Sequence, residues 1–579
     1  MAIVSPAPGV LPYLEAETDE FQAKAKSFRD GEIDAATFRA WRLTRGTYGQ
    51  RQADNQMIRI KIPFGGLNAD QLDAIGDVAE RWAGSNKGHI TTRENIQLHF
   101  VQLETVPDVM RTIGAVGLTT REACSNTVRN VTACSLAGVD ATEAFDVTPY
   151  AAAFARYFLR KPENQALPRK FKTAFSGCEE DCAVLGIHDL GFHAVMKNGQ
   201  KGFLITAGGG TATMPRQGHV ISEFSTVDDG EYLRVSEAVL AVFDKTGNRK
   251  NKNAARMKFV VEKHGWDQFK TWWDEEYAKV QGKQIDMAPL MDLPDETAGL
   301  PQDLPHADPI PGYDEWRRTN VVAQKQPGFY AAYVTVPTGD LYPEMLHGLA
   351  DISRRHNGGW IRLSVTQNVV VRWLREEQLP ALHRDLFEIG LGQPGARTLV
   401  DVVSCPGATS CSLAMTASIE MARMGIGSKA KELVQQYPEA AHIRINVSGC
   451  PNGCGQHHLG TIGFEGSSIK KDLLTVPAYE MWAGGGHTET GLRIAKRVNR
   501  IAAKRAPQAL EAVVAAYSGE RSGSEDFYGW LDRVGIAHLK EITAEFCDVG
   551  PLHKELDSYK DWGSDEVYQV IRGEGECAA

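Results

Sequence analysis

An internal duplication constrains this chain more than any other feature of its sequence. Three short motifs recur in the same order in both halves: Cys134-Ser-Leu-Ala and Cys411-Ser-Leu-Ala, Ser176-Gly-Cys178-x3-Cys182 and Ser448-Gly-Cys450-x3-Cys454, and Ala207-Gly-Gly-Gly and Ala483-Gly-Gly-Gly. Several matching anchors in one order are improbable by chance. The order predicts two related halves with a pseudo-twofold relation.

Secondary-structure patterns repeat together with the motifs. Each half contains an alternating strand, a Leu-rich helix, a second strand and a second helix. These segments are 57–63, 67–82, 88–99 and 106–116 in the first half, and 330–337, 341–355, 359–371 and 379–389 in the second. This repeated order predicts two ferredoxin-like half-units that pair into one domain of an α+β fold.

Composition narrows the class of protein. The chain has 579 residues, of which 42% are hydrophobic and 23% charged, as in ordinary globular proteins. It has no run of 18 apolar residues and no secretory pattern at its start, so we expect a cytoplasmic protein that does not enter membranes. Its net charge of −10 argues against bulk attraction to nucleic acid or to an anionic membrane.

Four cysteines of the second half form the strongest chemical signal. Cys405 and Cys411 are spaced C-x5-C, and Cys450 and Cys454 are spaced C-x3-C. Four thiolates in two pairs suit a zinc ion or an iron–sulfur cluster. Structural zinc usually uses closer pairs, and the adjacent prolines and glycines predict tight loops whose N–H groups point at anionic sulfurs. The pattern therefore favours a [4Fe–4S] cluster, with zinc as the alternative.

The first half repeats only three of these four cysteines. Cys134, Cys178 and Cys182 match Cys411, Cys450 and Cys454, but Val128 stands where Cys405 has its counterpart. Three ligands are fewer than a cluster normally takes. We interpret Cys178 and Cys182 as remnants of the duplication rather than as a second cluster.

The segment His89 to His99 reads as a strand with one face of hydrogen-bonding side chains. Alternation places His89, Thr91, Arg93, Asn95, Gln97 and His99 on that face. Such a face suits a large anionic ligand, and a solvated sheet face is the alternative. The equivalent strand of the second half, 361–371, shows no such face, so we expect an asymmetric function.

A group of cations forms a third signal. Lys170 and Lys172 flank Phe171, so they share one face of a strand, and Arg129 follows Asn126 in Asn126-Thr-Val-Arg129. These cations could bind a small oxyanion and supply protons to it, with a surface basic patch as the alternative.

The glycine triplet at 208–210 fits a close backbone approach to a bulky ligand or a tight turn. The basic run 249–258 reads as a solvated helix face or as a contact for an acidic electron donor.

These motifs resemble the sirohaem and [4Fe–4S] signature of assimilatory sulfite and nitrite reductases. The resemblance covers roughly residues 45–535 and rests on the cysteine set with Gly449-Cys450-Pro-Asn-Gly-Cys454-Gly, on Thr92-Arg93-Glu-Asn-Ile-Gln, Arg129-Asn-Val and Pro168-Arg-Lys-Phe-Lys172, and on the run 249–258. It implies an α+β, internally duplicated fold. A ferredoxin-like parachute domain is joined by two pseudo-symmetric α/β sirohaem-binding modules.

The same resemblance assigns roles to residues. Cys405, Cys411, Cys450 and Cys454 would ligate the cluster, and Cys454 would also bridge to the sirohaem iron. Four cations would ring the distal face of the haem and hold the anion as catalytic residues: Arg93, Arg129, Lys170 and Lys172. The predicted cofactor-binding residues are His89, Thr91, Asn95, Gln97, Asn126, Gly208, Gly209, Asn452 and Cys454.

The family reduces sulfite to sulfide or nitrite to ammonia with six electrons. Plant-type nitrite reductases tend to have Asn where this chain has Lys172, and a fourth cation suits dianionic sulfite. We therefore predict a sulfite reductase of sulfur assimilation, with nitrite reduction as the alternative. A zinc-stabilised binding protein without catalysis is a third hypothesis, which the four cations oppose. No flavin or nicotinamide motif occurs, so electrons come from a ferredoxin or from a separate NADPH-oxidising flavoprotein.

Three further positions depart from, or lie at the edge of, the resemblance. Glu94 stands where many members have Gln, which places a carboxylate near the polar strand. Some members crosslink a cysteine at the position of Cys124 to a tyrosine. Tyr48 is the plausible partner here, and a free thiol beside a packed tyrosine is the alternative. The tail 551–579, with Cys577, lies outside the resemblance.

The predicted domain organisation follows the duplication and a proline-rich segment that begins at Pro289. It comprises an N-terminal extension (1–56), a first ferredoxin-like half (57–121), a first α/β module for anion and sirohaem binding (122–288), a Pro-rich linker (289–326), a second ferredoxin-like half (327–396), and a second α/β module with the cluster and the tail (397–579).

Overall fold

Helices and strands follow the order that the duplication predicts. The computed structural model describes residues 10–488, 491–571, 573 and 576. Its helices are α1 (Glu15–Arg29), α2 (Ala35–Leu43), α3 (Ala69–Trp82), α4 (Val106–Ala115), α5 (Thr148–Phe158), α6 (Glu231–Thr246), α7 (Met257–His264), α8 (Trp266–Val280), α9 (Ala288–Met291), α10 (Tyr313–Asn320), α11 (Pro343–Asn357), α12 (Leu379–Glu388), α13 (Ser418–Glu420), α14 (Gly427–Gln436), α15 (Ala506–Glu520) and α16 (Phe527–Ile542).

The strands form four five-stranded sheets and one small hairpin. They are β1 (Thr47–Gly49), β2 (Asn55–Ile60), β3 (Gly66–Asn68), β4 (Gly88–Ile90), β5 (Ile96–Gln102), β6 (Val128–Ala133), β7 (Phe171–Ser176), β8 (Leu190–Lys197), β9 (Gln200–Ala207), β10 (His219–Thr226), β11 (Val321–Ala323), β12 (Tyr330–Val334), β13 (Asp340–Leu341), β14 (Trp360–Leu363), β15 (Val369–Leu374), β16 (Val403–Ser404), β17 (Ile445–Ser448), β18 (Ile462–Lys471), β19 (Leu474–Ala483), β20 (Gly486–Thr488), β21 (Gly491–Arg493) and β22 (Lys496–Ala502).

The two ferredoxin-like half-units exchange strands with each other. The first sheet has the order β1-β2-β5-β4-β13, and the second has the order β11-β12-β15-β14-β3. Each sheet therefore ends on a strand from the other half, with Asp340 opposite His89 in one and Asn68 opposite Trp360 in the other. Buried side chains of both halves share one apolar core, which confirms the predicted pairing into a single domain.

The two α/β modules carry the cysteine turns at equivalent places. The first has the sheet order β10-β9-β8-β7-β6 and the second β16-β17-β18-β19-β22, with parallel pairing among β6, β7 and β8 and among β16, β17 and β18. Cys134 follows β6, and Cys405 follows β16. Ligands of α/β sheets bind where parallel strands end at their carboxyl termini. The duplication thus places both cysteine sets at such an edge.

The long polar strand predicted for 88–99 is wrong, because the chain turns in its middle. β4 and β5 are an antiparallel hairpin joined by residues 91–95, with His89 opposite Gln97. Thr91 closes the turn through its carbonyl, which accepts from Glu94 N at 2.9 Å, and through its hydroxyl, 2.8 Å from Asn95 Oδ1. Short polar side chains that bond locally favour such turns over a strand. The segment 359–371 forms the equivalent hairpin of β14 and β15.

Two predicted segments hold more regular structure than the sequence indicates. β1 lies in the segment assigned to the N-terminal extension and pairs with β2, and β11 lies in the segment assigned to the linker and pairs with β12.

The basic run 249–258 is not one solvated helix face: Arg256 pairs with buried Asp189, and Lys258 Nζ donates to three backbone carbonyls. Among the described residues, no helix is both long and apolar enough to cross a membrane.

Candidate active site

A large pocket lies where the β4–β5 hairpin, the first module and the cysteine turns of the second module meet. It holds about 1320 Å³ of space free of protein atoms, open mouth included, which is ample for a bulky ligand. The predicted site residues that line it are His89, Thr91, Arg93, Asn95, Gln97, Arg129, Lys170, Lys172, Cys405, Cys411, Cys450, Asn452 and Cys454. The fold therefore brings together three signals that are up to 365 residues apart in the sequence.

Tight backbone turns shape the cysteine end of the pocket. Gly449 N donates to Cys405 Sγ at 3.3 Å, and Ser418 Oγ lies 3.3 Å from the same sulfur. Gly407 has φ +63°, and a side chain there would collide with Ser418. Cys454 is solvent-exposed, and its carbonyl accepts from Thr92 Oγ1 at 2.8 Å. That hydrogen bond fixes the hairpin turn against the cysteine turn.

The hairpin turn is also anchored to the first module. Asn130 Nδ2 donates to the carbonyls of Arg93 (2.9 Å) and Glu94 (3.3 Å), and also to that of Ile62 (2.7 Å). The Arg93 guanidinium donates to Thr173 O at 3.0 Å and contacts His188. Its Nε is buried and has no hydrogen-bond partner among the described residues. Burial lowers the pKa of Arg93 to about 10, so the side chain is still a cation at neutral pH.

The Arg129 guanidinium is fixed by hydrogen bonds to two backbone carbonyls and one tyrosine hydroxyl. Its Nε donates to Ser125 O at 2.7 Å, and its two terminal nitrogens donate to Ala123 O at 2.9 Å and to Tyr48 Oη at 3.0 Å. Tyr48 belongs to a small buried cluster with Leu43, Met57 and Cys124. The sequence hypothesis of a Cys124–Tyr48 crosslink thus has its two residues as neighbours, and the bond itself stays a prediction.

The two lysines enter the pocket at the start of β7. Lys172 N donates to Asp189 Oδ2 at 2.8 Å, and Asp189 also pairs with Arg256 at 2.8 Å. Burial, and then the charges of Arg256, Lys170 and Arg93, lower the pKa of Lys172 well below its usual value. A lysine in this setting releases a proton more readily than one in water, which suits a proton donor to a bound anion.

Hydrogen-bonding side chains form a further part of the pocket lining. His89 Nδ1 lies 2.9 Å from Asp340 Oδ1 on the exchanged strand β13, so the second half orients a residue of the first. Asp340 also pairs with Arg423 at 2.6 Å, and His89 and Lys87 help to lower its pKa against the opposing effect of burial. Gln97 is best oriented with its carbonyl oxygen toward Arg59 and its amide toward His99. Burial lowers the pKa of His99 to about 3, so His99 is neutral.

Glu94 and Gln367 occupy equivalent positions in the two hairpin turns. Both are buried with positive φ, 51° and 66°. Gln367 accepts from Ser404 N at 2.7 Å and donates to Ser404 O at 2.8 Å, whereas Glu94 accepts from Ala133 N at 3.0 Å, and its Oε1 finds no hydrogen-bond partner within the part of the chain that the structure describes. Burial raises the pKa of Glu94 to about 8, so it is neutral at pH 7. The departure from Gln noted in the sequence therefore adds no charge to the pocket at that pH.

Three predicted cofactor-binding residues lie away from the pocket lining. Asn126 accepts a backbone bond from Leu167 N at 2.9 Å. Gly208 and Gly209 approach protein rather than open space: a Cβ on Gly209 would lie 2.3 Å from Gly186 O, and one on Gly208 would lie 3.1 Å from Val261. Cys577 lies outside the described residues.

Sequence reasoning missed several lining residues. Gln367 lies on the hairpin of the other half, and the repeat of Glu94-Asn95 as Gln367-Asn368 is a signal that could have found it. Arg59 alternates with Ile58 and Ile60 on β2, so its inward side chain was detectable only from the pairing of β2 with β5. Glu576, in the tail, lines the pocket and accepts from Arg42 at 2.7 Å. Tyr568 Oη donates to Met415 O at 2.8 Å, which fixes the tail beside the cysteine turn.

The equivalent pocket of the first half is lined by two arginines that pair with a carboxylate of the protein. It lies against the β14–β15 hairpin and the loop after Cys134 and holds about 1040 Å³ by the same measure. Arg362 and Arg372 enter it from that hairpin, together with Trp360 and Trp373. Both arginines bind the carboxylate of Glu296 from the linker.

Comparison with known proteins identifies the family. Residues 124–281 and 395–547 match the family model described as "Nitrite and sulphite reductase 4Fe-4S domain". Residues 48–116 and 322–389 match the one described as "Nitrite/Sulfite reductase ferredoxin-like half domain". The chain belongs to the nitrite and sulfite reductase family. The two matches to each description follow the duplication.

Relatives of both specificities resemble the chain. It is 29% identical over 436 residues to the ferredoxin–nitrite reductase of Synechococcus elongatus, covering 74% of this chain and 80% of that one. It is 27% identical over 482 residues to the ferredoxin sulfite reductase of Mycobacterium tuberculosis, covering 82% of each. The solved structure of the M. tuberculosis NirA protein superposes with a TM-score of 0.73 at 26% identity and covers 88% of this chain and 92% of that one.

Membership of this family implies sirohaem and a [4Fe–4S] cluster, and the residues present fit both groups. Four cysteines face one cavity from turns with converging N–H groups, as a cluster requires. The buried Nε of Arg93, which lacks a partner among the described residues, and the hydrogen-bonding side chains of the lining offer donors to an anionic macrocycle. The protein is therefore an oxidoreductase with the cofactors that its sequence predicts.

Proposed function

We propose that the protein is an assimilatory sulfite reductase that reduces sulfite to sulfide with six electrons. The observation that carries this proposal is the convergence of Arg93, Arg129, Lys170 and Lys172 on one pocket with Cys454. Near neutral pH sulfite is present both as the dianion and as hydrogen sulfite, and four cations stabilise the dianion more than they stabilise monoanionic nitrite. Conversion of SO3²⁻ to HS⁻ takes six electrons and seven protons and releases three waters.

The second-half cysteines Cys405, Cys411, Cys450 and Cys454 would hold the cluster, with Cys454 shared with the sirohaem iron. His89, Thr91, Asn95 and Gln97, together with Gln50 and Arg59, would hold the carboxylates of the macrocycle. When bound, the two cofactors supply the electrons and the site for the substrate sulfur. What the chain adds is the orientation of the anion, the supply of protons and the exclusion of water.

The cations divide into two kinds by their surroundings. Arg93 and Arg129 are fixed by backbone carbonyls, so they orient an oxyanion without much rearrangement. The lowered pKa of Lys172 makes its ammonium a good acid toward an oxyanion oxygen that leaves as water. Lys172 then regains a proton from solvent through the mouth of the pocket.

Nitrite is the second candidate substrate, and the lowered pKa of Lys172 is compatible with it as well. The low pKa of Lys172 makes its neutral form accessible, and a neutral Lys172 leaves three cations, which suit a monoanion better. Nitrite reductases also stand among the relatives with the highest identity. Reduction of NO2⁻ to NH4⁺ takes six electrons and eight protons and releases two waters.

We propose a ferredoxin as the electron donor, because the relatives of both specificities are named as ferredoxin enzymes. Activity with a reduced ferredoxin should exceed activity with an NADPH-oxidising flavoprotein at equal donor concentration. The reverse order would assign the flavoprotein instead and leave the site residues unchanged.

The substrate is tested by measuring kcat/KM for sulfite and for nitrite with one reduced viologen donor. We expect at least a tenfold preference for sulfite, about 1.4 kcal/mol of transition-state stabilisation. Lys172→Asn should reduce this preference by at least tenfold, since it removes a cation and keeps a polar group. Lys250→Asn, on the exposed part of the basic run, is the matched control and should leave the ratio unchanged. A preference for nitrite in the unmodified enzyme would overturn the sulfite assignment.

A further inference from the structure

Three cysteines of the first half converge where the second half carries its cluster cysteines. Cys134 follows β6, and Cys178 and Cys182 form the turn after β7. Cys134 and Cys178 are buried, and Cys182 is half-buried. The turn is fixed in place, because Asp181 Oδ2 accepts from Leu185 N at 2.9 Å and Ser176 Oγ lies 3.4 Å from Cys178 Sγ.

The three sulfurs are closer together than the thiolates of a four-iron cluster. Cys182 Sγ lies 2.6 Å from Cys134 Sγ and 3.4 Å from Cys178 Sγ, and the three sulfurs all lie within 4.8 Å of one another. A tetrahedral ion with bonds of about 2.3 Å to sulfur spaces its thiolates about 3.8 Å apart, so binding one requires the Cys134 and Cys182 sulfurs to separate by about 1 Å. The described residues contain two groups of three candidate ligands this close, and neither includes a cysteine of the second half. A four-iron cluster needs more widely spaced thiolates and a fourth cysteine, and Val128 occupies that place.

A nitrogen donor from the other half lies beside the turn that carries two of the three thiols. The hairpin of β20 and β21 extends from the second module over the first, where Leu492 O accepts from Gln217 Nε2 at 2.6 Å. His487 on β20 has its Nε2 3.8 Å from Asp181 Oδ2, within the 178–182 turn. That Nε2 is buried and has no hydrogen-bond partner among the described residues.

We propose that Cys134, Cys178 and Cys182 bind one zinc ion, with the His487 imidazole as fourth ligand. Three thiolates and one imidazole are a common ligand set of structural zinc. Thiolate donors also select against Mg²⁺ and Ca²⁺, which prefer oxygen. The ion joins a hairpin of the second half to a turn of the first, so it ties the two modules together. These cysteines are then a built site and not remnants of the duplication. The proposal does not depend on whether the substrate is sulfite or nitrite.

The test begins with the unmodified holoenzyme, washed with a chelator that removes loosely held ions. Metal analysis should give about one zinc per chain alongside the full iron complement of four cluster irons and one haem iron. A full iron complement shows that the second-half cysteines are occupied by the cluster, so the zinc is elsewhere. Zinc X-ray absorption should report three sulfurs at about 2.3 Å and one nitrogen at about 2.0–2.1 Å.

Variants assign the site to these residues. Cys182→Ser should lower zinc to below about one fifth per chain with iron retained, and His487→Ala should remove the nitrogen from the absorption spectrum. Cys547→Ser is the matched control, because Cys547 is a half-buried thiol outside both cysteine sets. It should keep its zinc.

Three results would overturn the proposal. One is an iron-replete holoenzyme that contains no zinc. This result includes the case in which copper is bound in its place and the case in which mass spectrometry under non-reducing conditions finds a Cys134–Cys182 disulfide. Another is zinc that persists in Cys182→Ser. If that variant does not fold, alkylation of the unmodified holoenzyme decides: Cys178 and Cys182 should react only after a strong chelator is added, and equal labelling without chelator contradicts a bound ion.

Discussion

The two halves carry the same cysteine turn, but the arginines that line their two pockets are paired differently. In the first-half pocket, Glu296 of the linker supplies a carboxylate that pairs with Arg362 and Arg372. In the second-half pocket, Arg93 and Arg129 donate to backbone carbonyls. The duplicated fold provides two pockets lined by cations, each of which can bind an anionic group. The difference is that Glu296 pairs with the hairpin arginines of the first-half pocket, whereas Glu576 in the second-half pocket pairs with Arg42 of α2.

The strongest way to break this comparison is to remove Cys454, which we propose as a ligand of both cofactors. We expect Cys454→Ser to lose the cluster iron and to lower kcat by at least roughly 10³-fold, since the cofactors carry the chemistry. Cys182→Ser, at the equivalent position of the first half, should keep all its iron. Iron analysis and the visible spectrum of both variants check this. Loss of iron from Cys182→Ser as well would mean that the two turns are not independent.

Removing the linker carboxylate should weaken the fold and leave the cofactor pocket intact. Burial alone would raise the pKa of Glu296, but Arg362 and Arg372 outweigh it and hold the pKa below its usual value, so Glu296 is ionised at pH 7. Glu296→Gln leaves two buried cations uncompensated, which costs about 3–5 kcal/mol. Calorimetry should show a midpoint of thermal unfolding lower by at least roughly 5 °C.

The matched control for this change is Glu315→Gln. Glu315 pairs with Arg318 on an exposed helix surface, and such pairs contribute about 0–1 kcal/mol. Equal destabilisation by the two variants would contradict the view that Glu296 acts as a buried counter-ion. Iron content should match the unmodified protein in both.

Glu94→Gln sharpens the comparison between the two hairpin turns, because it gives the first turn the residue of the second. The folded pKa of Glu94 is raised to about 8 by burial, whereas the unfolded value is about 4.5. Its stabilising contribution is therefore complete below pH 4.5 and is lost as pH rises through 8. Gln has no such loss, so the variant should gain stability over the unmodified protein as pH rises.

The expected gain is small at pH 4.5 and about 2 kcal/mol at pH 8 to 9. The full shift would correspond to about 5 kcal/mol at roughly 1.4 kcal/mol per pKa unit, and water penetration reduces it. Denaturant unfolding at several pH values measures the difference. A constant difference across this range would show that Glu94 does not titrate.

Motif spacing and alternation predicted much of the fold and of the site. The duplication and the ferredoxin-like halves follow from local patterns that repeat. The meeting of the cysteines with Arg93, Arg129, Lys170 and Lys172 in one pocket was expected from the family resemblance. Such patterns survive because each strand and helix keeps one face toward a core, which the two half-units share, and so keeps its period.

The missing parts depend on contacts between distant segments. Local periodicity reads 88–99 as one strand, because the hydrogen bonds of Thr91 and Asn95 that turn it are not part of the alternation. Glu296 reads as a linker residue, because its two arginine partners are 66 and 76 positions away. The glycines at 208 and 209 were expected to approach a ligand or to form a tight turn. Gly208 has φ +87°, as a tight turn requires, and both glycines lie close to residues of their own module.

The exchange of strands between the two half-units has a consequence during synthesis on the ribosome. β4 cannot gain its partner β13 until residue 341 has been added, about 250 residues after β4 itself. At roughly 5–20 residues per second, the first sheet waits about 12–50 s with one edge unpaired. An unpaired strand edge is a template for association with other chains. The same connection that lets Asp340 orient His89 therefore exposes the nascent protein to aggregation until its second half emerges.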